Sequence, residues 1–414
     1  MKKTHTIFSI LFLSFILSIN AQIKGTSISI GNNYKIISKI LKQEREIQIY
    51  LPASYKDSVH KYYPVLYVLD GQDYFIPAVS FQKMISKRGI IPEFIIVGVK
   101  TDIVKRRVLF DKEKGASSFT NFLENELIPF IDVKFRTNKE KERLFFGWEM
   151  AGGIGIETIT EKPNLFSGYI IASATNIAGS RVDFIEKYLK NLKVKEVPFL
   201  FMTAAPDESW LNDNKKLRGF FNKEIYHNLN WRYSILDREK HHTTPFKTIN
   251  EGIIDYFYNY APVTYRTLKE YDDFGGLKGL KSFYKKRGER FDISKKIDEI
   301  SKMFILYNAV VENNYERFVY YENAFKGHIE TNTGVNWFHR YAGFYLKHNN
   351  TEKALYYYNY GLNKLGSSKL LFSGLGDVYA KMNKKNKAIK CYKKALEIDS
   401  KYKQALEGLN KIPN

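Results

Sequence analysis

Between Tyr34 and Tyr260, short unbroken apolar runs alternate with longer amphipathic stretches, and this alternation constrains the fold more than any other feature of the chain. The runs are Pro64 to Leu69, Phe94 to Val99, Arg143 to Phe146, Gly168 to Ala172, Pro198 to Thr203 and Trp231 to Leu236. Each has the length of a strand. Continuous rather than alternating apolarity is what a parallel strand covered on both faces requires. The stretches between them place apolar residues at helical spacing, most clearly from Ser117 to Val133. Such an order predicts an α/β architecture, a mostly parallel sheet flanked by helices, with Tyr34 to Ile40 and Glu46 to Tyr50 as an antiparallel pair leading into it.

After Tyr260 the strand signals stop, Pro262 marks a boundary, and the chain becomes aromatic, charged and helical. Tyr341, Ala342, Tyr345, Ala354 and Tyr358 recur 34 residues on as Leu375, Gly376, Tyr379, Ala388 and Tyr392. Small residues at such positions let paired helices touch, and aromatics fill the gap between them. The period and the placement resemble the tetratricopeptide repeat, an all-α helical repeat. Ser400 stands where that repeat usually has proline, and a plain helical bundle is the alternative. A looser third unit lies around Asn308 to Phe325, and Tyr402 to Leu409 would cap the stack. Two repeats are fewer than normally fold alone, so they need the preceding helices or the sheet region as a neighbour.

At the N-terminus, Lys2 and Lys3 precede the apolar run Ile7 to Ile19 and then Asn20-Ala21-Gln22, the pattern of a secretory signal peptide cut after Ala21. An uncleaved anchor is the alternative, but the run is shorter than the roughly 20 residues a spanning helix needs. The expectation is an exported protein, periplasmic or secreted and not membrane-spanning. Its expected divisions are 1–21 signal peptide, 22–261 sheet domain, 262–335 helical connector and 336–414 repeats. Cys391 is the single cysteine, so no intrachain disulfide and no cysteine-based metal site is expected, and nothing in the sequence calls for a cofactor. The formal charge of +21 favours anionic surfaces. Its lysines are scattered, however, and interleave with acids as in Asn138-Lys139-Glu140-Lys141-Glu142. They read as a solvated surface or as contact with anionic envelope components, and no nucleic-acid partner is expected of an exported protein.

The segment Arg143-Leu144-Phe145-Phe146-Gly147-Trp148-Glu149-Met150-Ala151-Gly152-Gly153 runs from an apolar strand through a tight turn into a helix. That is the setting of the nucleophile elbow, Gly-x-Ser-x-Gly, whose small residues let a strained backbone pass close to its neighbours. Around it stand Tyr63-Pro64-Val65-Leu66-Tyr67-Val68-Leu69-Asp70-Gly71-Gln72-Asp73, Glu124-Asn125-Glu126-Leu127-Ile128-Pro129-Phe130-Ile131-Asp132 and Lys162-Pro163-Asn164-Leu165-Phe166-Ser167-Gly168-Tyr169. Together these resemble the putative-esterase family of α/β hydrolases, which includes esterase D-like and enterochelin-esterase-like enzymes. The resemblance implies a triad acid at Asp207 in Ala204-Ala205-Pro206-Asp207-Glu208, and a histidine at His241 in His241-His242-Thr243-Thr244-Pro245. It also implies an oxyanion hole from the backbone N–H of Met150 and one near Gly71 or Gln72. Simpler roles remain open: Asp207 as the cap of a turn, and the histidine pair as a solvated loop.

Glu149 occupies the serine position, and this decides the chemistry to expect. Serine catalysis needs a hydroxyl whose proton histidine removes; a carboxylate has none to give, and its attack on an ester would yield an anhydride. Ala151 replaces the motif's last glycine and is expected to relax the turn, while Trp148 adds an indole where substrate needs room. The carboxylate is expected to fold into the oxyanion donors or to pair with protonated His241. The reading is an esterase-like pseudoenzyme that binds an acyl-ester-like ligand in its cleft or a protein partner through its tail. Two alternatives keep catalysis: an ester hydrolase with another nucleophile, Ser173 being the nearest serine, or Glu149 itself attacking saturated carbon as the elbow aspartates of dehalogenases and epoxide hydrolases do.

Overall fold

The computed structural model describes residues 28–101, 103–110, 116–175, 198–208, 216, 219, 230–331 and 334–413, so the expected signal peptide lies outside the described residues. The strands are β1 (Asn32–Ser38), β2 (Gln43–Tyr50), β3 (Val65–Leu69), β4 (Ile95–Val99), β5 (Arg143–Trp148), β6 (Gly168–Ala172), β7 (Phe199–Ala204) and β8 (Trp231–Ile235). Among the described residues they form one sheet in the order β1-β2-β4-β3-β5-β6-β7-β8. The pairs β1–β2 and β2–β4 are antiparallel and the others parallel. Every position of β3, β4, β6 and β7 is buried, as their unbroken apolarity predicts, but β8 corrects that expectation: it is the edge strand, and its Arg232 and Ser234 are exposed.

Six helices are described in this region: α1 (Gly71–Ser86), α2 (Ile103–Phe110), α3 (Ala116–Phe122), α4 (Ile128–Lys134), α5 (Met150–Glu161) and α6 (Thr244–Tyr256). Neighbouring residues of a strand face opposite ways, so Val65, Tyr67 and Leu69 join one core while Leu66 and Val68 join the other. The expected single helix from Ser117 to Val133 is interrupted: a π turn over Leu123–Leu127 separates α3 from α4. The widened turn has a local use. Its Glu126 accepts hydrogen bonds from Ser38 Oγ (2.5 Å) and from the N–H groups of Lys39 (2.9 Å) and Ile40 (3.2 Å), closing the connection between β1 and β2.

Beyond Tyr260 every described element is a helix: α7 (Leu268–Asp273), α8 (Gly276–Phe291), α9 (Glu299–Val311), α10 (Tyr315–Ala324), α11 (His328–Thr331), α12 (Val335–Lys347), α13 (Thr351–Leu365), α14 (Lys369–Lys381), α15 (Lys385–Ile398) and α16 (Lys403–Asn410). Asn313, Asn349 and Asn383 end α9, α12 and α14 in the left-handed conformation, at φ 53°, 63° and 59°. After each, the next N–H returns to the preceding helix: Asn314 to Ala309 O (2.8 Å), Asn350 to Tyr345 O (2.9 Å) and Lys384 to Tyr379 O (2.9 Å). These matching caps make α9–α10, α12–α13 and α14–α15 three copies of one helix pair, with α11 inserted after the first. The small residues are required where they stand, because a methyl on Gly376 or Gly408 would run into the ring of Tyr392.

The helical region is fastened to the sheet region through the end of α8. Arg290 Nε donates to Glu142 Oε1 at 2.8 Å, its Nη2 reaches Tyr256 O at 3.2 Å, and the Phe291 ring packs on Tyr260 at 5.2 Å. Glu142 directly precedes β5 and Tyr256 ends α6, so the attachment is at the sheet's N-terminal edge. The turn after β5 lies at the other edge, clear of it.

Candidate active site

β5 ends at Trp148 and α5 starts at Met150, leaving Glu149 alone in the turn at φ 56°, ψ −120°. A residue with a side chain is strained there, and the strain persists only where the surroundings over-determine it. The neighbours do so. Glu149 N–H donates to Ala172 O of β6 at 3.0 Å, and Glu149 O accepts from Gly153 N–H (3.0 Å) and Thr175 N–H (3.2 Å). The close approach falls on Gly147, where a Cβ would sit 2.6 Å from Ala151 O. Ala151 itself is fully buried with its methyl in the core. The expectation that Ala151 relaxes the turn is therefore corrected: its methyl is accommodated in the core and Glu149 keeps its positive φ.

The partner of the elbow carboxylate is Arg106 on α2. Arg106 Nη1 donates to Glu149 Oε2 at 2.5 Å and Nη2 to Trp148 O at 3.0 Å, while Nε reaches both oxygens of Asp70 at 3.0 Å. The guanidinium also lies 5.3 Å from the centroid of the Trp148 ring. Burial alone would lower its pKa, but the hydrogen bonds and charge of Asp70, and then those of Glu149, hold it above its ordinary value, so it stays a cation. Asp70 and Glu149 occupy similar places: each is a residue of positive φ directly before a helix, at φ 53° before α1 and 56° before α5. Carboxylates are favoured at helix N-termini, and Arg106 spans the two. Neither of the two fates expected for the carboxylate, the oxyanion donors or His241, is the one observed. Arg106 escaped the sequence reading because Lys105-Arg106-Arg107 looks like any solvated basic helix face.

His241 sits in the turn before α6, and the acid facing it is Glu208: His241 Nδ1 and Glu208 Oε1 are 3.3 Å apart, and the Glu208 side chain is fully buried. Asp207, the expected acid, points outward to Lys240 Nζ at 3.5 Å. Both acids follow β7, and successive residues of the turn face opposite ways, so the buried site falls to the second. Trp148 covers the histidine, with ring centroids 4.8 Å apart and its Nε1 donating to His241 O at 3.1 Å. Ser173, the alternative nucleophile, is fully buried at φ 47° and bonded to Thr244 Oγ1 at 2.6 Å, which ties its hydroxyl to α6 rather than presenting it at the cleft.

Gly71 and Gln72 open the first turn of α1, and Met150 opens α5, positions whose N–H groups have no acceptor within the helix. Gly71 is packed so closely on β4 that a Cβ would lie 2.7 Å from Gly98 C, and Gln72 is oriented by Thr101 N–H donating to its Oε1 at 3.0 Å. Among the described residues no cluster of three or more His, Cys, Asp or Glu is placed to hold a metal ion, and no helix is long and apolar enough to cross a membrane.

Comparison with known proteins agrees with this fold. Residues 38–226 match the family model described as Putative esterase, and residues 370–402 match the tetratricopeptide repeat. A curated relative, the ferri-bacillibactin esterase BesA of Bacillus subtilis, is 24% identical over 188 residues, covering 37% of this chain and 64% of the relative, so the chain spans under two thirds of that protein. The crystal structure of an IroE-like serine hydrolase from Shewanella oneidensis has a TM-score of 0.52 at 22% identity, covering 71% of this chain and 98% of that one. An uncharacterised protein from Capnocytophaga ochracea, at 19% identity and a TM-score of 0.50, covers 88% of this chain and 93% of its own, so its fold runs through both regions. Residues 38–226 thus match the putative-esterase family of α/β hydrolases, and a tetratricopeptide-repeat match follows at residues 370–402.

Proposed function

We propose that this chain is an exported, catalytically silent esterase-fold protein that binds an acyl-ester-like ligand in its cleft or a protein partner through its repeats. The observation that carries the reading is the 2.5 Å ion pair between Glu149, at the nucleophile position, and Arg106. A carboxylate has no proton for His241 to remove, and one locked on a guanidinium is a weaker nucleophile still. In hydrolases of this logic, loss of the nucleophile lowers turnover about a million-fold. Trp148 adds a second obstacle, because its ring rests on His241 where an acyl group would need room. The relative named as a ferri-bacillibactin esterase supports a small ester-like ligand for the cleft.

Labelling with a fluorophosphonate probe tests the reading. The native protein should remain unlabelled, Glu149→Ser should acquire label, and adding His241→Ala should remove it; labelling of the native protein within the cleft would overturn the proposal. The retained strain at Glu149 favours one rival, in which the glutamate attacks saturated carbon. That rival requires a covalent adduct on Glu149 after incubation with epoxides or haloalkanes, which mass spectrometry would detect. Export rests on Lys2, Lys3 and the run from Ile7 to Ile19, and a mature N-terminus at Gln22 in the envelope or medium is its expected mark.

A further inference from the structure

The repeats build the same groove twice, and the two copies differ in charge. One lies between α10 and α13 and the other between α13 and α15. Asn323, Lys353, Tyr356 and Tyr357 of the first correspond to Asn359, Lys387, Lys390 and Cys391 of the second. In the first groove the ammonium is answered from within the chain. Lys353 pairs with Glu322 at 2.8 Å, Tyr357 Oη donates to the same carboxylate at 2.5 Å, and Tyr356 Oη donates to Glu330 at 3.2 Å.

The second groove, of about 520 Å³, carries Lys387, Lys390 and Lys394 along one side of α15, and no Asp or Glu lines it. All three lysines are exposed, and among the described residues none forms an ion pair. Lys387 and Lys394 lie instead over the rings of Tyr379 and Phe372, 5.6 and 5.2 Å from their centroids. Facing them is the exposed amide of Asn363, which can bond a peptide main chain, while Asn359 Nδ2 donates to Leu355 O at 2.8 Å, and Leu362 and Phe372 supply apolar floor. Replacing tyrosine by Cys391 lowers one wall.

We propose that the groove between α13 and α15 binds an acidic, amphipathic peptide segment of a partner protein. Its carboxylates meet Lys387, Lys390 and Lys394, and an apolar side chain settles between Leu362 and Phe372. This deepens the partner-binding half of the function proposed above and is independent of its catalytic half. The first groove has no such vacancy, because Glu322 already fills the role the partner's carboxylates take in the second.

Fluorescence anisotropy on the full chain tests it, using a short labelled peptide alternating glutamate with leucine and a counterpart alternating lysine with leucine. The acidic peptide alone should bind, more weakly as salt rises. Each Lys→Gln change at 387, 390 or 394 should weaken binding about five-fold, the size of a screened ion pair. The triple Lys→Glu variant should not bind, with its circular dichroism unchanged. Undiminished binding by the triple variant would overturn the groove assignment. Capture on phosphatidylglycerol vesicles without peptide binding would assign the lysines to a membrane surface and overturn it equally. Either failure leaves the reading of Glu149 standing, and ester hydrolysis by the native protein would leave the groove standing.

Discussion

The elbow and the repeat turns both hold non-glycine residues at positive φ, for opposite reasons. Asn313, Asn349 and Asn383 adopt the left-handed conformation that asparagine tolerates well, and each ends a helix that needs a stop. Glu149 adopts a backbone no glutamate prefers, once, and its strain is met by the sheet: Ala172, Thr175 and Gly153 fix it from three directions. The turns of the helical region follow from their own residues, whereas the elbow follows from its neighbours. A scaffold that over-determines a turn holds its shape whichever residue stands in it.

The largest effect that would break this comparison is at the ion cluster. Arg106→Ala leaves Asp70, whose side chain is 2% exposed, as a buried charge without its cation, and unfolding in urea should register a loss of about 3–5 kcal/mol. A loss under about 1 kcal/mol, the size of a surface pair, would mean that the cluster does not hold the site together. In the repeat turns, Asn349→Ala should lose about 1–2 kcal/mol through left-handed strain while Asn349→Gly stays neutral, and equal losses would show that the turn is held by packing instead. Glu149→Gln keeps the shape and removes one charge from a side chain that is 28% exposed, so about 1 kcal/mol is expected from a charge-assisted bond becoming neutral.

The smallest effect concerns pH. Burial, more than the opposing charge of Asp377, holds the His339 imidazole of α12 below its ordinary value. The folded protein therefore takes up this proton less readily than the unfolded chain. Stability from this group is complete above about pH 6.5 and is lost as the pH falls below it. The urea midpoint of the native chain should drop on acidification more than that of His339→Gln, and parallel profiles would contradict the assignment.

Much of this architecture was legible because it rests on one-dimensional pattern. Apolar runs gave the buried strands, and recurring small and aromatic residues gave the two later repeats, while the looser unit expected around Asn308 to Phe325 begins earlier, at Glu299. Side-chain direction was not legible. Asp207 and Glu208 are adjacent acids after a strand, and only the turn decides that Glu208 meets His241. Arg106 was hidden for a related reason, since nothing local distinguishes it from Arg107 until α2 is folded beside the elbow. The π turn over Leu123–Leu127 leaves the apolar spacing nearly helical and shows itself only through the bonds of Glu126.

Initial-rate hydrolysis of short p-nitrophenyl esters by the native protein beside Glu149→Ser tests the central claim most directly. The native protein should show no turnover above buffer, Glu149→Ser should hydrolyse the esters with its His241→Ala derivative silent, and adding Ala151→Gly should change little because the elbow already fits Ala151. Sustained turnover by the native protein that disappears with His241→Ala would contradict the account.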